Sequence, residues 1–318
     1  MLRETVLNRV IELIGEQYVF ADKARELVER MQRNTSEYGA ARTDHQFAAL
    51  ISRDMSEITH DVHLSLEVRI KSDQWRELPP VAEAKFIEGG IAIIQINRFP
   101  STNSAKGEDV IREIDHAFLM AARASAIILD VRGNAGGDGS SVALATTYLL
   151  PPKPHLLAVY RYRLDMAPRQ SWTWEKLPHE VNGPYRPLAD KPACVLVSKS
   201  TFSAAEEFAY TLQHLKRAII IGEKTRGGAH PSKRHIIDGT FVLSLPFAET
   251  LSPITKTNWE GVGIIPDKLC LRRDALKIAK EYLYSLSVVA VSKDATKRKG
   301  LSTSGPHLRC LPLSLPND

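Results

Sequence analysis

Several familiar functional classes are excluded by what this sequence lacks. It has only three cysteines, Cys194, Cys270 and Cys310. Their odd number and wide scatter argue against a disulfide framework and fit a reducing compartment or inert burial. No His/Cys/Asp cluster has zinc-like spacing, so no metal is expected, and no cofactor fingerprint is present. No apolar run is long enough to span a bilayer, so no membrane insertion is expected. The N-terminus, MLRETVLNRVIELIGEQYVF, carries charges through an amphipathic pattern instead of the continuous apolar core of a signal peptide. A cytoplasmic location is therefore expected, or a secreted or periplasmic one if a leader has been removed. The 42 basic and 37 acidic residues leave a net charge of +5. They form no interleaved basic–aromatic stripe, which argues against a nucleic-acid partner. There is no internal repeat.

What is present is an ordinary globular composition over 318 residues, enough for one large domain or two modest ones. Residues 3–59 read as helical, with Val6, Val10, Ile11 and Ile14 on one face and Phe47, Leu50, Ile51 and Met55 on another. A polar break separates them at Ser36–Arg42. In HDVHLSLEVRI alternation sets in, with Val62, Leu64, Leu66 and Val68 on one side of a strand and His63 and Ser65 on the other. His63 thus faces away from the apolar row, toward a cleft. Residues 1–75 are expected to form an N-terminal helical cap plus this first strand.

Residues 76–290 are expected to form the α/β core. GGIAIIQINRF and Ala126–Val131 read as buried strands, with a helix from Asp109 to Ala124 between them. The second strand closes on the turn RGNAGG and is followed by a helix over Ser140–Leu150. Strand, Gly-rich turn and helix are the grammar of a mostly parallel sheet with ligands at its carboxyl edge. The glycines lack both a following Lys-Ser/Thr and a G-x-G-x-x-G pattern, so phosphate binding is a weak reading. Backbone N–H groups aimed at an anionic transition state fit equally well. Residues 151–192, rich in proline and aromatics, read as a lid-like insertion. From residue 291 the chain is polar, basic and Pro-containing and reads as disordered.

The organising stretch is VLVSKSTFSAAEEFA, Val195–Ala209. An apolar β-branched run turns into a helix with Ser203 at the junction. There its hydroxyl stands at the sheet edge beside the free N–H groups of a helix N-terminus. Ser203-x-x-Glu206 is also a capping box, so nucleophile and cap both remain open on this stretch alone. Glu206 and Glu207 are expected to favour the helix N-terminus and lie in solvent.

Three stretches together, AIILDVRGNAGG, VLVSKSTFSAAEEFAYTLQHLKRAIIIGEKTRGGAHP and TKTNWEGVGIIPD, resemble the tail-specific (C-terminal-processing) serine peptidase superfamily. The branch indicated is that of interphotoreceptor-retinoid-binding-protein modules, with the tricorn core peptidase as a distant relative. The resemblance implies a ClpP/crotonase-like core and Ser203 as nucleophile. Processing members carry a PDZ domain before the first core strand, whereas the span between Arg69 and Gly89 is too short for one. Ser–Lys members carry their base in a T-x-G-K-G turn, whereas Gly228 stands here at the lysine's position. A tricorn-like set instead implies His63 as base and Glu260 as its orienter, with Gly136 or Gly137 and Ala204 forming the oxyanion hole.

His230 is the alternative base, and Trp172 and Trp174 are candidate substrate contacts. Trp259 is expected to wedge the turn bearing Glu260 into the core. The expected activity is serine-type hydrolysis of peptide or unfolded protein. The rivals are a non-catalytic retinoid- or lipid-binding module on the same fold and an esterase of small acyl compounds. Homo-oligomer formation is left open.

Overall fold

The computed structural model describes residues 2–69, 81–163, 167–178, 186 and 188–286. The expected tail at 291–318 and the Pro-rich connector at 78–80 lie outside the described residues. Met1–Ala279 form one compact unit and Lys280–Asp318 another; every element labelled here belongs to the first.

Four helices open the chain: α1 (Leu2–Gln17), α2 (Ala21–Arg33), α3 (Thr35–Gly39) and α4 (Asp44–Thr59). Ala24, Leu27 and Met31 of α2 recur at helical spacing and are all buried. α4 is capped by Thr43, whose side chain accepts the Gln46 N–H, and ends on His60 in the left-handed conformation at φ 53°. The polar break expected at Ser36–Arg42 therefore holds a short helix. A second break, at residues 18–20, lacked any glycine or proline signal.

β1 (Ser65–Val68) begins later than the alternation suggested. Asp61–His63 form a turn, and Val62 is exposed, not part of the apolar row. The reversal follows from the left-handed residue at His60, which redirects the chain before the strand can start.

The core sheet is built from β2 (Ala82–Ile87), β3 (Ile91–Ile96), β4 (Ala126–Asp130), β7 (Ala193–Val197), β8 (Ile219–Gly222) and β12 (Lys268–Leu269), in the order β12–β8–β7–β4–β3–β2. All neighbours pair in parallel except β2 with β3. β7 is buried along its whole length, as strands covered on both faces are. Helices α5 (Gly107–Met120), α6 (Gly139–Thr147) and α7 (Ala204–His214) flank this sheet. The expected mixed, largely parallel α/β architecture is present.

Two antiparallel sheets complete the unit. β5 (Leu156–Tyr162) and β6 (Arg169–Trp172), from the lid-like insertion, pair with β11 (Ala248–Leu251) in the order β11–β5–β6. β9 (Ser232–Ile237) and β10 (Phe241–Pro246) form a hairpin whose β10 pairs with β1. Phe241, Leu243 and Leu245 thereby join Leu64, Leu66 and the α1–α4 face in one apolar cluster. The N-terminal cap is thus closed by a hairpin from residues 232–246, which the sequence assigned to the core. This pairing of chain ends anchors the turn at Asp61–His63 against the loop at 225–231. Among the described residues no helix is long and apolar enough to cross a membrane.

Candidate active site

Parallel strands deliver their carboxyl ends to one edge, and the loops after β4 and β7 meet there. Ser203, between β7 and α7, has φ 54° and ψ −123°, a conformation that non-glycine residues rarely adopt. Its N–H donates to Glu206 Oε2 at 2.9 Å. The same carboxylate accepts from Thr225 Oγ1, from Gly227 N–H at 2.7 Å and from Gly228 N–H at 2.8 Å. Glu206 is fully buried, and burial raises its pKa against these four donors. It is therefore no solvated surface residue: it ties the strained serine to the 225–228 turn.

Gly136 packs against this elbow. A Cβ there would lie 2.7 Å from both the Phe202 carbonyl oxygen and Ser203 Cβ, and its φ is 101°. Only glycine lets the β4 turn approach so closely. The Gly136 N–H is spent on Asn134 Oδ1 at 2.8 Å, so it is unavailable to an oxyanion. Among the described residues the N–H groups of Gly137 and Ala204 have no hydrogen-bond partner. Both residues line the cavity next to Ser203.

His63 enters from the cap. Its ring stacks on Phe202 at 4.4 Å, and it is 8 % exposed. Nδ1 is buried without a partner, and burial pushes the imidazole down to about 4 despite the Asp61 charge, with His230 and Arg226 adding to the drop. Gly228 makes room for this ring. A Cβ at 228 would lie 2.5 Å from His63 Cε1 and closer still to the Phe202 ring.

Behind His63 lies a buried polar cluster. Asp61 accepts the His63 backbone N–H at 3.0 Å, the Tyr18 O–H at 3.1 Å and His230 Nδ1 at 2.8 Å. Glu260 accepts the backbone N–H groups of Val62, at 3.0 Å, and Ala229, and its Oε2 lies 3.7 Å from His230 Nδ1. The carboxylate thus grips the backbone of the turn bearing His63 and makes no hydrogen bond to that imidazole. Burial pulls His230 down, but Asp61 and Glu260 outweigh it and raise its pKa. His230 is held between these carboxylates and does not line the cavity containing Ser203. Asp61, His230 and Glu260 bring donor atoms within 4.8 Å of one another. Each of those atoms already has a hydrogen-bond or charge partner within the protein, so the cluster reads as a structural network and not as a metal cage.

Residues 90–269 match Peptidase family S41, more than half of the 318-residue chain. The chain belongs to peptidase family S41. Among curated proteins it is similar to a probable CtpA-like serine protease of Staphylococcus saprophyticus, at 23 % identity over 264 residues covering 78 % of this chain and 46 % of that protein. It therefore spans about half the length of that relative. A putative peptidase from Parabacteroides merdae has a similar fold, with a TM-score of 0.61 at 15 % identity over 89 % of this chain and 97 % of that one. So does the photosystem II D1 C-terminal processing protease, at 0.56 and 12 % over 86 % and 94 %.

The S41 core opens onto a cavity of about 660 Å³. Ser203, His63, Gly137 and Ala204 line one part of it, and β5 and β6 contribute Tyr160, Tyr162 and Arg169. The insertion does cover the site, but not with its tryptophans. Trp172 is exposed at the end of β6, and Trp174 packs on the core. Neither lines the cavity, because the side chains facing it come from Tyr160, Tyr162 and Arg169–Ser171. Trp259 is buried, and its Nε1–H donates to the Gly228 carbonyl at 2.7 Å, fixing the turn as expected. Sequence reasoning missed Glu207. It is 5 % exposed, lines the cavity and accepts the Tyr160 O–H at 2.9 Å. Its place in the first turn of the helix that begins at Ser203 was the available signal.

Proposed function

We propose that this S41 member is a serine peptidase that cleaves peptide bonds through an acyl-enzyme on Ser203. The observation that carries this reading is one cavity holding three things: a serine in a strained elbow, a histidine with an unpartnered ring nitrogen, and two unpaired backbone N–H groups. Ser203 Oγ attacks the scissile carbonyl carbon while the neutral His63 imidazole takes its proton. The N–H groups of Gly137 and Ala204 receive the developing oxyanion. His63 returns the proton to the leaving amine, and a water then hydrolyses the ester by the same route in reverse. Glu260 acts with Asp61 as a positioning group, holding the Asp61–His63 turn through Val62 and His63 backbone amides.

A peptidyl phosphonate followed by mass mapping tests this directly. Label is expected on Ser203 in the wild type and absent in His63→Ala; label on another residue would overturn the assignment. The pH dependence tests the base. Neutral imidazole is the active form, and burial depresses the His63 pKa, so that form persists to lower pH than in a free histidine. The labelling rate is expected to rise with pH around 4 and to be level by about pH 6. A rise confined to the alkaline range would point to an amine base.

The charged floor of the cavity, with Asp138 and Glu207, disfavours the retinoid- or lipid-binding alternative.

A further inference from the structure

The floor of the cavity beside Ser203 contains a carboxylate that the peptidase chemistry leaves unused. Glu207 lies in the first turn of α7, four residues after Ser203 at the helix N-cap, and both line the same cavity. It is buried to 5 % exposure, yet its one hydrogen bond among the described residues is from the neutral Tyr160 hydroxyl. The other ionic group acting on it is Asp138, a second carboxylate lining the same cavity. One Asp138 oxygen caps α6 through the Ser140 N–H at 2.9 Å and also holds the Ser140 hydroxyl.

The cationic side chain lining this cavity, Arg169, sits elsewhere. It is exposed and lies over the Tyr162 ring at 5.5 Å, toward solvent. Burying an ionised carboxylate without a counter-charge is costly, a cost relieved either by protonation or by a cation that arrives from outside. Burial accordingly raises the Glu207 pKa to about 7, a state that an arriving cation would reverse.

We propose that Glu207, with Asp138 beside it, selects substrates that present a cationic nitrogen next to the scissile bond, either a lysine or arginine side chain or a free N-terminal amine. This rests on the peptidase reading of Ser203. It assigns the cavity a substrate class that the serine, the imidazole and the oxyanion donors do not determine. The geometry supports it because the carboxylate lines the same cavity as the nucleophile, from the first turn of the helix that Ser203 caps. A bound cation would therefore fix the register of the peptide carbonyl relative to Ser203.

The test uses internally quenched peptides carrying lysine, arginine, norleucine or glutamate in turn at each position, each made with a free and with an acetylated N-terminus. For the wild type at pH 8, kcat/KM is expected to be about tenfold or more higher with the cation than without it, read as lysine or arginine over norleucine at one position flanking the cleaved bond or as the free over the acetylated N-terminus. A preference for the free over the acetylated N-terminus with no gain from lysine or arginine would identify the α-amine as the cation, and a lysine or arginine advantage that survives acetylation a side chain. In Glu207→Gln, which keeps an acceptor for the Tyr160 hydroxyl, the cation-to-norleucine ratio is expected to fall to about one.

Wild-type values near one for both the cation-to-norleucine and the free-to-acetylated comparison, or an unchanged preference in Glu207→Gln, overturn the proposal. Calorimetric binding of lysine-terminated and norleucine-terminated product peptides to Ser203→Ala repeats the comparison without turnover. If no peptide is cleaved and the phosphonate leaves Ser203 unlabelled, the peptidase reading fails. In that event equal binding of the two product peptides would overturn the cation proposal separately. Thermal melting of Glu207→Gln at or above the wild-type temperature shows that the variant is folded.

Discussion

Gly228→Ala is expected to lower kcat by about a thousandfold while leaving the melting temperature and KM close to wild type. The added methyl would stand 2.5 Å from His63 Cε1 and nearer still to the Phe202 ring. The two rings stack on each other, and Arg226 lies 4.4 Å over Phe202, so the added methyl displaces them toward the cavity that both rings line. The imidazole has to leave its place, and the reaction loses the base proposed for it. Positioned general bases contribute on the order of 10² to 10⁴ in rate, and a displacement of about 1 Å can already cost about a hundredfold. Gly228→Lys meets the same rings, so restoring a lysine at this position would not supply a working Ser–Lys pair. Steady-state kinetics on a peptide substrate decide the matter. A kcat within about threefold of wild type would mean that His63 is not the base, or that the packing yields without consequence.

Glu206→Ala is expected to destabilise the protein by about 4 kcal/mol, a drop in melting temperature on the order of 10 °C. The carboxylate answers three backbone N–H groups, of Ser203, Gly227 and Gly228, and the Thr225 hydroxyl. All four would be left without a partner in the interior, where each unsatisfied donor costs about 1–3 kcal/mol. Activity is expected to fall further than the folded fraction does, because the hydrogen bond that holds Ser203 at φ 54° is lost together with the link to the Gly228 turn. Thermal melts, with rates measured well below the transition, separate the two effects. A melting temperature within about 2 °C of wild type would show that the cavity rehydrates and satisfies the donors.

These expectations depend on contacts that differ in how visible they are along the chain. The parallel core was legible because residues 126–129 and Ala193–Val197 are continuous apolar runs, the pattern of strands buried on both faces. The Ser203 elbow was legible because such a strand, a short turn and a helix stripe follow one another locally. The cap's closure by residues 232–246 was not legible. Strand alternation says which face is apolar but not which distant strand covers it. Of the two glycines considered as oxyanion donors, Gly136 has its N–H engaged because Asn134, two residues earlier, turns back to take it, a contact the sequence did not reveal. The burial of Glu206 and Glu207 was hidden as well, since charge near a helix N-terminus reads as solvated until the neighbouring loops are known.

From the amino-acid order alone come the helices, the buried strands, and the junctions at Ser203 and Gly136, because each depends on neighbours a few residues away. Tertiary structure alone decided how His63 is held: by the backbone grips of Asp61 and Glu260, with room made by Gly228 some 165 positions downstream. It likewise decided that Glu207 lines the cavity without a counter-charge among the described residues. Burial and charge pairing are properties of what surrounds a side chain, and here the surroundings come from segments distant in the chain.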